Sequence, residues 1–250
     1  MMEVNYDFFR KTNYINTDVT YLRNIIITEW DIKSAGLSVI KYRHSLPDNI
    51  IEKLENMPKD KRTVYEGKLQ RRFPALAKII VDTLGDVRVQ FAIENELTPD
   101  DIVSIKKDAL FVISKRIKRN TVFNSFLFRK KNTYTSYIRL NNIEFYYNSG
   151  TNHIDCKGVN GENSKFIDII KRILNFSERN NNESIYNFLK GLRESYLDRK
   201  MEKEYYRELS TGKFRIGKYL VDDITDDMIS DINIDQNYLQ FMLPVIQEII

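Results

Sequence analysis

A chain of 250 residues, 42% hydrophobic and 30% charged, has room for one sizeable core or two small lobes and reads as soluble and globular. No apolar run reaches the ~18–20 residues of a membrane span, and the polar, aromatic N-terminus carries no apolar signal segment. A single cysteine, Cys156, and two histidines, His44 and His153, exclude a disulfide framework and a Cys or His zinc centre.

Residues 1–22 read as an irregular lead-in with aromatic anchors. Residues 24–31 form a strand, followed by a short helix or turn from Ser34 to about Tyr42. Pro47-Asp48 opens a small helix with Ile50, Ile51 and Leu54 as its apolar positions, ended by Pro58. The strongest helix runs from about Phe73 to Asn95, with Phe73, Leu76, Ala77, Ile80, Val81, Leu84, Val87 and Phe91 on one face and Pro74 in the first turn. Thr98-Pro99-Asp100-Asp101 is a turn. Strands at 102–106 and 109–114 then meet near Asp108. From Phe123 to Cys156 aromatic and β-branched residues alternate as in strands. Beyond Gly158 the pattern is helical, at Ser164–Phe176, from Ser184 to about Glu208, and near 235–250. The order gives an α+β chain: a lead-in (1–22), a mixed α/β domain with an antiparallel sheet (23–158) and a helical lobe (159–250).

The net charge of +4 is modest, and its distribution says more. Basic runs occur at 59–62, 68–72, 115–119 and 129–131, whereas acids gather at 222–227. A basic middle fits a polyanion-binding surface; each run by itself also fits an ordinary solvated face. Abundant Asn, Ile, Lys and Tyr suggest an AT-rich genome, such as that of a low-GC bacterium or its phage, and cytoplasmic residence is the corresponding expectation.

Two carboxylates stand out. Ile25-Ile26-Ile27 leads into Asp31, and Ile102-Val103-Ser104-Ile105 leads towards Asp108, which Leu110-Phe111-Val112-Ile113 follows. Asp is poorly suited to a strand interior, and residues that break a local rule are often functional. Carboxylates on neighbouring strands can hold a pair of Mg²⁺ ions that clamp the two oxygens of phosphoryl transfer. Glu29 is a possible third acid. The plainer alternative is a strand-end Asp31 capping its turn and a turn carboxylate at Asp108.

Asp31-Ile32-Lys33-Ser34-Ala35-Gly36-Leu37-Ser38-Val39 and Ser104-Ile105-Lys106-Lys107-Asp108-Ala109 resemble the first and third motifs of family B DNA polymerases. Asp31, Ser34, Ser38 and Val39 match the first motif, and Asp108 takes the place of the second metal-binding Asp of the third. A long helix, a turn and a strand precede that motif in both. Lys157-Gly158 follows a strand, as a Lys-Gly does in the family. The resemblance implies a palm with an antiparallel sheet joined to a helical, thumb-like C-terminal lobe. It implies a template-dependent nucleotidyltransferase acting on DNA, in phage replication, with Asp31 and Asp108 holding Mg²⁺ or Mn²⁺. A nucleoside triphosphate would meet Gly36, Lys68, Arg71 and Arg72. Nucleic acid would lie along Arg116, Lys118, Arg119, Lys130 and Lys157.

The chain departs from the family pattern at several points. Lys106 replaces the first Asp of the third motif, Gly36 the aromatic sugar gate, and Leu37 the usual Pro. The fingers signature is absent. A non-catalytic nucleic-acid-binding or scaffold subunit of a replication or transcription complex fits these departures, with a further protein subunit as partner. A plain α/β interaction domain is the third reading. No membrane partner is expected.

Overall fold

The apolar run Ile25–Ile27 becomes part of the long strand β2 (Tyr21–Ile32) in a computed structural model. It describes residues 4–140, 142–158, 165–198, 200–201, 214–216, 219–221 and 243–249. Two compact units emerge. The first comprises residues 1–16 and 27–133, the second residues 17–26 and 134–250. These units follow packing in space, whereas the expected boundary at 158 follows the change from strands to helices along the chain. The strands β2 and β6 (Phe126–Leu140) are each divided between them.

In the first unit the strand order is β1-β3-β4-β2-β6, with β1 at Asn13–Ile15, β3 at Ile102–Lys106 and β4 at Ala109–Ile113. A short β5 (Thr121–Val122) pairs antiparallel with β6. The four helices between β2 and β3 are α1 (Ala35–Arg43), α2 (Asp48–Glu55), α3 (Lys59–Arg72) and α4 (Pro74–Glu94). Pro74 takes the first turn of α4, where its missing N–H costs nothing. Leu76, Ile80, Leu84, Val87 and Phe91 are buried as their 3–4 spacing requires, but Phe73 and Val81 stay 46% exposed. Phe91 stacks on Phe128 with ring centroids 3.9 Å apart and tilts against Trp30. Each such side chain taken from water contributes about 1.5–3 kcal/mol.

The helix α3 has no apolar stripe and no buried residue, so periodicity gave no sign of it. The lead-in is more ordered than expected: Tyr6–Arg10 form a 3₁₀ turn that buries Phe9, and β1 pairs with β3.

In the second unit β6, β7 (Ile143–Asn148) and β8 (His153–Lys157) are antiparallel neighbours. Two helices follow, α5 (Lys165–Arg179) and α6 (Asn182–Leu197). Ile138, Phe145, Tyr147, Ile170, Leu174, Leu189 and Tyr196 form their common core. Asn181 caps α6 by accepting a hydrogen bond from the Ser184 amide. Gly158 ends β8 with φ +95°, and a Cβ there would lie 2.6 Å from the Asn142 carbonyl oxygen, so only glycine fits.

The helix expected from Ser184 to Glu208 ends at Leu197, and the one expected near 235–250 is described over α7 (Leu243–Ile249). A small hairpin pairs β9 (Phe214–Ile216) with β10 (Tyr219–Val221). The acidic run at 222–227 lies outside the described residues. Among the described residues no helix is long and apolar enough to cross a membrane.

Candidate active site

The hairpin β3–β4 turns on two residues, Lys107 and Asp108. Lys107 adopts the left-handed region at φ +54°, a conformation that costs a non-glycine residue about 1–2 kcal/mol. Its neighbours hold it there: the Lys107 amide donates to the Thr12 carbonyl at 2.7 Å, and Arg88 Nη1 donates to the Lys107 carbonyl at 2.6 Å. Strand β4 runs antiparallel to β2 with Asp31 opposite Ala109. The Ile32 amide donates to the Asp108 carbonyl at 3.3 Å, which brings the two acids side by side.

Burial, then the adjacent Asp31 charge, push the Asp108 carboxyl up to about 6, and a side-chain hydrogen bond with Asp31 acts in the same direction. Lys131 opposes this from β6. A charge on Asp31 therefore disfavours ionisation of Asp108.

Cations and an amide line the same stretch of β2. Arg129 Nη2 lies 3.3 Å from Asp31 Oδ2. Glu29, two residues earlier and so on the same strand face, is 2% exposed. It accepts from Lys131 Nζ at 3.1 Å and Asn132 Nδ2 at 2.6 Å. Glu29 is thus already held by two donors. Asp31 and Asp108 form the open pair, and no group of three or more His, Cys, Asp or Glu suited to a metal occurs among the described residues.

Arg88 supports the turn from α4. It is 1% exposed. Its guanidinium donates to the carbonyls of Phe9, Arg10, Lys11 and Lys107 at 2.6–3.1 Å. Burial lowers its pKa to about 10, with the Asp108 charge pulling the other way. Sequence reasoning missed this residue. The signal was there: a charged side chain on the buried stripe of Leu84, Val87 and Phe91.

The turn after Asp31 meets α3. Ser34, at φ +51°, is its left-handed residue, and Gly36 sits in the first turn of α1. A Cβ on Gly36 would lie 2.5 Å from Glu66 Oε2. Glu66 approaches Arg62, 3.8 Å away, and Arg62 donates to the Ser34 hydroxyl at 3.0 Å. Burial raises the Glu66 carboxyl, which Arg62 counteracts. The cation beside this turn is therefore Arg62, one helical stretch before the expected Lys68, Arg71 and Arg72. Those three are exposed, with the Arg72 guanidinium over the Phe73 ring.

The run at 115–119 is an exposed loop pinned by buried Asn95, which accepts from the Lys118 and Arg119 amides and donates to the Arg119 carbonyl. Lys118 pairs with Glu96 at 2.8 Å and Lys115 with Asp101 at 3.3 Å. Arg116, Arg119 and Lys130 present exposed side chains. Lys157, in the second unit, is half-buried opposite Glu144. The tyrosines 134, 137, 146 and 147 are all buried. They pack the core of that unit, and Tyr137 and Tyr146 donate to Glu144.

Compared with family models, residues 2–250 match the one described as Bacteriophage PBS1 gene 130 protein. No curated protein matches the chain.

Proposed function

The chain belongs to the Bacteriophage PBS1 gene 130 protein family, and we propose that it is a divergent nucleotidyltransferase of the infected cell, built on a polymerase-like palm with a thumb-like helical lobe. One observation carries this reading. Asp31, at the end of β2, and Asp108, in the β3–β4 turn, come side by side at a half-buried position, close enough for the Asp31 charge to raise the Asp108 carboxyl. The strand order β3-β4-β2, with the long helix α4 leading into the hairpin, is consistent with it.

The donor set fits Mg²⁺ or Mn²⁺, which take one or two protein carboxylates and complete their shell with phosphates and water. A bound ion would supply charge neutralisation to the phosphoryl group. Asp31 and Asp108 hold it. Arg62 and Ser34 shape the turn beside Gly36 where a nucleotide sugar would come. Lys68, Arg71 and Arg72 are in reach of solvent for a triphosphate. Arg116, Lys118, Arg119 and Lys130 of the first unit would hold the nucleic-acid backbone, and Lys157 of the second unit would make a phosphate contact of its own. The test is extension of a primed template with Mg²⁺ or Mn²⁺: Asp31→Asn and Asp108→Asn should each abolish incorporation, and incorporation that survives either change sinks the assignment.

A second reading has its own observation. Arg129 sits on Asp31, and Lys106 stands where the polymerases have an acid. A non-catalytic nucleic-acid-binding or scaffold subunit would tolerate both. Absence of incorporation under every ion and candidate partner, with binding to nucleic acid retained, would favour it.

A further inference from the structure

We propose that the tip of the β5–β6 hairpin is a stacking platform for an unpaired base of a single-stranded nucleic acid, with Phe123 as the ring that receives it. The inference rests on the nucleic-acid binding proposed above and adds which form of nucleic acid the first unit holds, and where. Phe123 lies in the three-residue turn between the paired Val122 and Phe126. It is 41% exposed, and Tyr42 on α1 is 39% exposed. Their rings stack with centroids 6.0 Å apart and planes 15° from parallel. Tyr42 also meets the Phe126 ring in a T-shaped contact and has the Arg43 guanidinium over it at 5.4 Å. Tyr42 is thus engaged on several sides, and a base laid on Phe123 would extend the stack. Tyr134, Tyr137, Tyr146 and Tyr147 cannot serve in this way, because they are buried.

The backbone is the second, independent observation. Phe123 and Asn124 are both left-handed, at φ +49° and +53°. Asn suits that region, whereas a bulky aromatic residue is rarely found there. Burial does not account for the phenylalanine, since its ring is exposed. Local strain of this kind gathers at ligand-binding sites. The charge around the tip fits a phosphate backbone. Residues 115–131 include seven basic and no acidic ones. Lys115, Lys118, Arg129 and Lys131 are in ion pairs, and Arg116, Arg119 and Lys130 add exposed positive charge. Along β6, Leu127 and Arg129 share one face. Leu127 is half-exposed and Arg129 reaches Asp31, so a strand leaving Phe123 along this face runs towards the acid pair. A ring accepts any base and the cations accept the phosphates, the combination of sequence-tolerant single-strand binding.

Fluorescence anisotropy with the full chain at low salt tests it, with an oligothymidylate, an abasic strand of the same length and a duplex of that length as probes. Oligothymidylate should bind about tenfold tighter than the abasic strand, the worth of one stacked base. Phe123→Asn should bring oligothymidylate down to the abasic level and leave the duplex unmoved. Asn suits the left-handed backbone at 123, so this variant should melt no lower than the parent protein, and its loss of binding is then not a loss of fold. Phe123→Trp should keep the preference, and the introduced indole should lose fluorescence on oligothymidylate beyond any change at Trp30. Should Phe123→Asn melt lower, that quenching decides alone. Equal affinity for the two single strands, a preference that a folded Phe123→Asn retains, or no quenching in Phe123→Trp overturns the proposal, while salt-sensitive binding to any of the probes leaves the nucleic-acid reading standing. No binding to any of the three at low salt overturns both. A self-associated parent protein that Phe123→Asn converts to monomer in sedimentation would make the tip a contact between copies and overturn the proposal too.

Discussion

Asp108→Asn is expected to make the protein more stable at neutral pH. The folded state raises this carboxyl from 3.8 to about 6, first by burial and then by the charge of Asp31. A raised acid binds its proton more tightly when folded, so below about pH 4 its ionisation costs the fold nothing. Stability then falls as pH rises through the window from 3.8 to about 6, and the full cost stands above 6. The shift corresponds to at most about 3 kcal/mol, and solvent reaching this half-buried group reduces it to about 2 kcal/mol. Asn keeps the shape and cannot ionise. Urea unfolding of both proteins at several pH values should show the variant ahead by about 2 kcal/mol at pH 7.5 and the gap closing towards pH 4. Mg²⁺ at ten times its dissociation constant should add about 1.4 kcal/mol to the parent protein and little to the variant. A variant less stable at pH 7.5, or a gap independent of pH, would mean that the Asp108 charge is a structural ligand of the fold, and the shared-site reasoning would be wrong.

Replacing Arg116, Lys118 and Arg119 together should flatten the salt dependence of nucleic-acid binding by roughly 0.7–0.9 in log–log slope for each phosphate left unneutralised; an unchanged slope in filter-binding or anisotropy titrations removes this loop from the interface. Gly36→Ala should gain little alone, because its methyl meets the end of the Glu66 side chain, which has to move, yet stabilise by about 0.5–1 kcal/mol in a Glu66→Ala background, where helix propensity alone remains. Additive effects in that double-mutant cycle would refute the clash. Arg88→Met should cost about 3–5 kcal/mol, since four carbonyls lose their donor at once, and a melting temperature within a few degrees of the parent protein's would contradict the clamp.

The strands β2, β3 and β4 were legible as short apolar runs, and α4 because its apolar residues repeat at the 3–4 spacing of a helix. Asp31 and Asp108 were legible as acids that interrupt such runs. Other parts were silent for physical reasons. Helix α3 has no fully buried residue, so it has no apolar stripe to read, and Arg62 looked like any other member of a basic block. Its role depends on how α3 meets the Ser34 turn. The pairing of Arg129 and Lys131 with Asp31 and Glu29 joins residues about one hundred positions apart, and no local pattern announces a long-range pairing of strands. Gly36 stands where the resembled family has its aromatic sugar gate. The left-handed residue is Ser34, and the small residue at 36 makes room for Glu66.

The two ion pairs on β2 differ in what they leave open. Glu29 has a side chain 3% exposed and two donors on it. Removing it from Lys131 and Asn132 would strand a buried charge, which costs several kcal/mol, so Glu29 belongs to the framework. Asp31 is 16% exposed and its partner Arg129 46% exposed. An ion pair with so exposed a partner contributes about 0–1 kcal/mol, and the long arginine can swing into solvent with little loss. A divalent ion brings twice the charge and can engage Asp108 at the same time. Arg129 is therefore a weak competitor at Asp31, and Arg129→Gln should strengthen Mg²⁺ binding by no more than about fivefold, the whole worth of an exposed pair. A larger gain in a calorimetric titration would show that Arg129 is the natural occupant of the site and that the acid pair is built to hold a side chain.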